Sequence, residues 1–389
     1  MLNSIKSTTH QNTLKTKHLL PAFLLIGTLL LSKQVIAQES NSFVNTLRME
    51  ARADFNYSCD SLIDGYNHDR NNTYGFNGMY FNLHMGGNLG DKVSYYFRQR
   101  IVANPGSVSF FDNTDFLYVN YAPNKNWSFR GGKDALIIGG FEYDHAPIDV
   151  LFNSYYWSVF YCFQMAVSAS YHSDDGNHTL SAQITNSPYI HYNSPFGDNS
   201  LLAYNLCWSG KMGHFKTLYS ASLFERARGY YMSYIALGNK LTFDRWDLYL
   251  DLIHHGVTTD QLTQNWAIIS CANIYLSEGF NIFVKGGYEQ NLDKNELTNY
   301  QATGKMWDCL TIPGQKYGFY GIGFELKPSF YRNLRIHGYV ADFASRQHII
   351  NANDDLEASG EISHHLNVNF GLTWNMDIHG AFKKRATQH

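Results

Sequence analysis

TLRMEARADFNYS, residues 46–58, alternates without a break. Leu47, Met49, Ala51, Ala53, Phe55 and Tyr57 fall on one face of an extended chain. Arg48, Glu50, Arg52, Asp54, Asn56 and Ser58 fall on the other, because successive side chains of a strand point to opposite sides. A soluble sandwich also alternates, but with shorter strands. Here one long strand has a wholly apolar or small face and a face carrying two arginines and two acids.

The same pattern returns along the chain. Val93, Tyr95, Phe97 and Ile101 oppose Ser94, Arg98 and Arg100. Trp246, Leu248, Leu250 and Leu252 oppose Asp247, Tyr249 and Asp251. Leu366, Val368, Phe370, Leu372 and Trp374 oppose Asn367, Asn369, Gly371 and Thr373. Segments of about ten residues, apolar outward and polar inward, are the signature of a transmembrane β-barrel. Sixteen are predicted between residues 45 and 376. Their connections alternate: short at 88–91, 123–125, 173–176 and 211–214, long at 59–73, 105–112, 134–160, 187–199, 256–263, 291–316 and 346–362. The joint at 227–228 is a short exception on the long side. Short periplasmic turns and long external loops are the outer-membrane arrangement. The expectation is an all-β fold: a transmembrane antiparallel barrel of about 16 strands.

The N-terminus agrees with export. Lys6, Lys15 and Lys17 precede the apolar run LLPAFLLIGTLLL, and Val35-Ile36-Ala37 supplies a small-residue cleavage site. This reads as a signal peptide over residues 1–37, with a barrel domain over 38–389. A membrane-spanning helix needs about 20 apolar residues, and this run is shorter and holds Pro21. Lysine and arginine number 30 against 33 acids, a balance that argues against a nucleic-acid partner. Outer-membrane lipid and small solutes are the expected partners. Cys162, Cys207 and Cys271 sit singly in strand-like segments, and Cys59 with Cys309 is the one plausible disulfide pair. The adjacent His254-His255 and His364-His365 point to opposite faces of their strands. No ligand spacing for a metal, no cofactor fingerprint and no GxSxG or P-loop motif occurs.

FRGGKDALIIGGFEYDHAPIDVLFNSYYWS, residues 129–158, breaks the pattern. A structureless stretch this long is uncommon in a compact domain and usually functional. Gly139 and Gly140 permit a sharp bend and Pro147 fixes a turn. Glu142, Asp144 and Asp149 offer charge, and Phe141, Tyr143, Tyr155, Tyr156 and Trp157 offer anchors. Such a segment is expected to fold into the lumen as a constriction loop, where irregular backbone is tolerated at membrane depth. By parity Arg48, Arg52, Arg98, Arg100 and Arg130, with Lys133 beside them, are expected to line the pore and contact anions. Asp247, Asp251, Glu289 and Glu325 are expected to face them across the bore, unless the charges pair with one another and hold the loop.

The run RGGKDALIIGGFEYDHAPIDV, residues 130–150, resembles the GK…GGFEYD…PID block of the phosphate-selective porin O and P family. That resemblance implies a 16-stranded, trimeric diffusion porin with its third loop in the pore. Members lined by lysine clusters favour phosphate, and no comparable cluster is present here. The function expected is an outer-membrane channel for small polar or anionic solutes, weakly anion- or phosphate-selective. A structural or adhesive barrel is the alternative, as is a barrel enzyme using His145 with Asp144 or Asp149.

If residues 1–37 are a cleaved signal, protein recovered from the outer-membrane fraction begins at Gln38. N-terminal sequencing that finds Met1 intact on that protein would refute the assignment.

Overall fold

In a computed structural model, residues 43–64, 67–101, 110–159, 161–191, 201–256, 263–303 and 311–386 are described. The expected signal segment and Cys309, the expected partner of Cys59, lie outside the described residues. Sixteen strands form the fold: β1 (Thr46–Asp64), β2 (Asn67–Asn88), β3 (Val93–Arg100), β4 (Thr114–Tyr121), β5 (Trp127–Ala135), β6 (Phe163–His172), β7 (His178–Asn186), β8 (Leu202–Met212), β9 (Phe215–Ala227), β10 (Tyr230–Thr242), β11 (Trp246–Gly256), β12 (Asn265–Ser277), β13 (Phe280–Asn291), β14 (Gln315–Leu326), β15 (Leu334–Ile350) and β16 (Leu356–Asp377). Each strand pairs antiparallel with its sequence neighbours, and β1 pairs with β16, which closes the ring. Closure removes every sheet edge, the condition for strands to cross a bilayer. Among the described residues three short helices accompany the barrel: α1 (Tyr155–Val159), α2 (Lys294–Thr303) and α3 (Ile378–Ala386).

The alternation read from sequence sorts the two faces. On β11, Trp246, Leu248, Leu250 and Leu252 are exposed, while Asp247, Tyr249, Asp251 and Ile253 are buried. On β16, Leu366, Val368, Phe370, Leu372 and Trp374 are exposed and Asn369 and Thr373 buried. An exterior of exposed leucine, valine and isoleucine is stable only against hydrocarbon. Aromatic residues gather at both ends of this band. His214, Phe243 and Trp246 stack near the turns, with centroids 4.5 and 4.4 Å apart. Near the loop end Trp266 lies 5.3 Å from Tyr288 and Tyr204 6.5 Å from Tyr231. Amphipathic rings settle at such interfaces.

Two expected loops are not loops. Over residues 59–73, β1 continues to Asp64 and β2 starts at Asn67, with pairing unbroken from Cys59↔Asn72 to Asp64↔Asn67. Over 346–362, β15 runs to Ile350 and β16 begins at Leu356. The same β1 residues also pair with β16, from Cys59↔Leu366 to Asp64↔Glu361. Their backbone groups therefore find partners on both sides. Above the membrane neither face meets lipid, so the alternation lapses while the ladder continues. β15, β16, β1 and β2 thus rise together as a tall wall. The opposite extreme is the low wall of β3, β4 and β5, with 8, 8 and 9 residues.

The short turns are built by local hydrogen bonds. Between β6 and β7, Asp175 accepts from the Ser173 hydroxyl, 2.5 Å, and from the Asn177 N–H, 3.0 Å. These donors hold its carboxyl down at about 2.

Candidate functional site

The segment joining β5 to β6, residues 136–162, is the longest connection between consecutive strands of the barrel. It leaves β5 beside β7, where the Ile137 N–H donates to Gln183 Oε1 at 3.1 Å. It then lies against β9 and β10. Gly139 N–H donates to Ser220 Oγ at 2.7 Å and Gly140 N–H to the Leu218 carbonyl at 3.1 Å. A Cβ on Gly139 would sit 2.6 Å from that carbonyl, and Gly140 has φ +99°. Glycine is required at both for this close approach and bend. The receiving patch is equally small: a Cβ on Gly238 would stand 2.9 Å from the Gly140 Cα.

Next come three buried carboxylates. Asp251 on β11 accepts the N–H groups of Phe141 and Glu142, both at 2.8 Å. Glu289 on β13 accepts those of Tyr155 and Tyr156, at 2.7 and 3.2 Å, at the first turn of α1. Glu142 itself turns back to accept the Ser154 N–H at 2.9 Å and the Ser154 hydroxyl. One cation serves this group: Lys285 Nζ lies 2.6 Å from Glu142 Oε1 and donates to the Phe152 carbonyl at 2.6 Å. Buried charges require this kind of pairing and hydrogen bonding. Around them Ile138, Phe141, Phe152 and Tyr156 pack on Phe224, Tyr234, Tyr249, Ile269 and Phe283, all on inward-facing positions. Burial of these rings and chains contributes about 1.5–3 kcal/mol each.

The middle of the segment reaches another wall. Arg52 on β1 donates to the carbonyls of Ile148 and Val150, at 3.3 and 2.7 Å, while its remaining nitrogens bind Asp54. Arg335 on β15 donates to the same Ile148 carbonyl at 3.0 Å and lies 2.7 Å from Asp149 and 3.1 Å from Glu325. The two arginines stand side by side, each paired in register with Thr373. Planar guanidinium groups suit this double duty, binding a carboxylate and a carbonyl at once. Pro147 opens a short 3-10 turn that presents these carbonyls.

The expected site residues therefore separate into groups. Gly139, Gly140, Phe141 and Glu142 anchor the segment, and Asp149 bonds Arg335. Tyr143 packs against the same core and Asp144 is exposed. Arg52 and Arg98 are buried, Arg98 against Asp115 at 2.9 Å and over the Phe116 ring. Arg48, Arg100 and Arg130 keep side chains 39, 40 and 39% exposed, and bind Glu50, Asp115 and Asp134 respectively. Lys133 is on the other face. Its register partners Leu117 and Met165 point outward, and its amine donates to the Phe111 carbonyl. Parity counted from Arg130 reaches Gly132 and Asp134 inward and leaves Lys133 outward. The acids expected across the bore are engaged: Asp251 and Glu289 with the segment, Asp247 with Lys240 at 3.3 Å, Glu325 with Arg335. His145 forms no pair with an acid among the described residues; its Nδ1 lies 2.5 Å from the Phe141 carbonyl.

Lys285, Arg335, Ser220 and Asp54 were missed by sequence reasoning. Parity could have found Lys285, which shares the inward face of β13 with Glu289. Nothing local in the sequence ties Arg335 to Ile148.

Replacing Asp251 by Ala leaves two buried N–H groups without acceptors, at about 1–3 kcal/mol each. Asp251→Ala and Gly139→Ala are both expected to leave a barrel that still shifts on heating in gel electrophoresis. In both, chymotrypsin should gain access to the bonds after Phe141 and Tyr143. Full protection in a folded Asp251→Ala barrel would show that this anchor does not hold the segment.

The profile of the phosphate-selective porin O and P family matches residues 51–264, more than half of the chain. A search of curated proteins finds no match. Among solved structures, the outer membrane channel DcaP of Acinetobacter baumannii is similar at 13% identity and a TM-score of 0.54, covering 84% of this chain and 96% of that one. The anion-selective porin from Comamonas acidovorans is similar at 11% identity and 0.52, covering 85% and 99%. OmpT of Vibrio cholerae is similar at 10% identity and 0.51, covering 88% and 100%. At such identities the likeness is one of fold. Family profile and closed sixteen-stranded barrel agree: the chain belongs to the phosphate-selective porin O and P family of outer-membrane channels.

Proposed function

We propose that this porin is a diffusion channel for small polar or anionic solutes, weakly anion-selective, in which residues 136–162 form the constriction. The observation that carries the reading is the attachment of this one segment to two separate walls. Asp251, Glu289, Lys285 and Ser220 hold it from β9–β13, and Arg52 and Arg335 hold it from β1 and β15. A strap fastened this way across a ring narrows whatever passes through it. The permeation path then runs along the inner face of β1–β5, past Arg48, Arg100 and Arg130.

The charges of that path nearly cancel. Each partly exposed arginine has a carboxylate within 3.3 Å. At a Debye length of about 8–10 Å an ion passing by senses both partners together. A tight phosphate site needs cations free to bond its oxygens, so weak anion preference is the expected outcome. Replacing Arg48, Arg100 and Arg130 together by Ala leaves Asp134 without its cation, Asp115 with Arg98 alone and Glu50 with only the His84 ring. The reversal potential under a salt gradient should then swing toward cations, more at about 0.1 M than at about 1 M salt. No change at low salt would place the path elsewhere.

The low wall supports a further reading, that three copies assemble. A bilayer-spanning strand takes about 9–11 residues, and β3 and β4 have 8 each, with Leu117, Val119, Tyr121, Trp127 and Phe129 exposed outward on this wall. Contact with a second copy covers such a face without requiring full membrane thickness. Light scattering in mild detergent should return the mass of three chains, and a monomer would refute the assembly.

A further inference from the structure

Above the strap, the tall wall and residues 151–158 enclose an open vestibule of about 660 Å³. That volume falls within the range of about 300–1,000 Å³ common to small-molecule sites. Among its described lining residues there is no Asp, Glu, Lys or Arg, and the ring of His365 is taken up by Asp60 at 2.5 Å. The contrast with the strap's own anchors is sharp. Along the inward face of β1, the side chains run from Arg52 and Asp54 at the strap to Asn56 and Ser58 at the vestibule.

The lining has two kinds of surface. One is aromatic. Tyr317 on β14 and Phe343 on β15 lie with ring centroids 6.2 Å apart and planes 27° apart, side by side on adjacent strands. Tyr155 of the strap meets Tyr317 edge-on at 6.2 Å and 64°, and Phe152 lies 5.1 Å from Tyr339. The other is neutral and hydrogen-bonding. Asn367 on β16 lies between Ser58 and Ala341 in register, and its Oδ1 is buried with no hydrogen-bond partner among the described residues. Asn56 accepts from Asn369 Nδ2 at 2.7 Å, which leaves its own amide hydrogens directed to other partners.

We propose that this vestibule is a binding subsite for a neutral saccharide entering the channel. The inference rests on the channel reading above and names the solute class that the outer half of the pore selects. An anion would need a free cation, and the described lining offers none. A planar nucleobase would be held best in a slit between two parallel rings. Here the rings form a platform with one edge-on neighbour, which leaves a face open. A sugar ring presents both complements: an apolar C–H face that lies on an aromatic platform, and a rim of hydroxyls that donate to and accept from amides. The unsatisfied Asn367 carbonyl is the acceptor such a hydroxyl can reach after a side-chain rotation.

The test is current block in planar bilayers containing the whole protein, in about 1 M KCl to screen surface charge. Linear α-1,4-glucans of three to six units are added to the loop side, and inorganic phosphate is run in parallel. Saturable, reversible block by the glucans is expected, lengthening with chain length and unrelieved by phosphate. Tyr317→Ala with Phe343→Ala should weaken the block at least tenfold while the KCl conductance stays within twofold. If that pair does not fold, Phe343→Leu replaces it, removing the ring face while keeping an apolar side chain. A conducting channel that no glucan blocks overturns the saccharide subsite and leaves the channel reading standing. So does equal block of parent and variant, or relief of block by phosphate. A folded barrel that conducts nothing overturns both.

Discussion

A long segment packed against the inward faces of strands must dispose of its backbone. Residues 136–162 form no strand ladder and meet the wall's backbone only at points such as Gly140 N–H to the Leu218 carbonyl, and at membrane depth unpaired N–H and C=O groups are costly. The chain answers with inward side chains of complementary sign. Where the segment presents N–H groups, the wall supplies Asp251 and Glu289; where it presents carbonyls, the wall supplies Arg52, Arg335 and Lys285. The lumen's charged residues are thus arranged first around a polypeptide and only secondarily around a permeant.

This order of priority explains why so few charges are free. Arg52, Arg335 and Lys285, which meet the strap, are each bonded to both a carboxylate and a carbonyl. Buried pairs of this kind contribute little net stability, yet removing one partner costs roughly 3–5 kcal/mol because the other is left stranded. The anchors therefore act as a latch more than as glue. The apolar half of the contact, centred on Phe141, Phe152 and Tyr156, supplies the attraction, and the charges set the position.

The barrel is also uneven in height. β3–β5 are short, whereas β15, β16, β1 and β2 continue well past the membrane band. The tall wall carries Asn56, Asn367, Tyr339 and Phe343 of the vestibule, and the short wall carries Arg98, Arg100 and Arg130.

Sequence alone was enough for the barrel, the strand count and the two faces of the strands whose alternation it spelled out, β1, β3, β11 and β16. The physical reason is that a bilayer outside and water inside impose opposite polarities on consecutive side chains, so the pattern is local and repeats. It failed where that contrast stops: residues 59–64, 67–73, 346–350 and 356–362 continue as strands above the lipid, where nothing imposes a regular alternation. Lys133 falls outside the lumen because strand parity, and not its nearness to Arg130 in sequence, sets its direction. The segment 129–158 was legible as exceptional by its length and its paired glycines. Which wall each part of it meets is set by tertiary structure alone. Arg52 and Arg335 lie near opposite ends of the chain and become neighbours only because β16 closes on β1. The vestibule depends on that same closure. The paired rings Tyr317 and Phe343 come from β14 and β15 and the amides of Asn56 and Asn367 from β1 and β16, far apart in sequence.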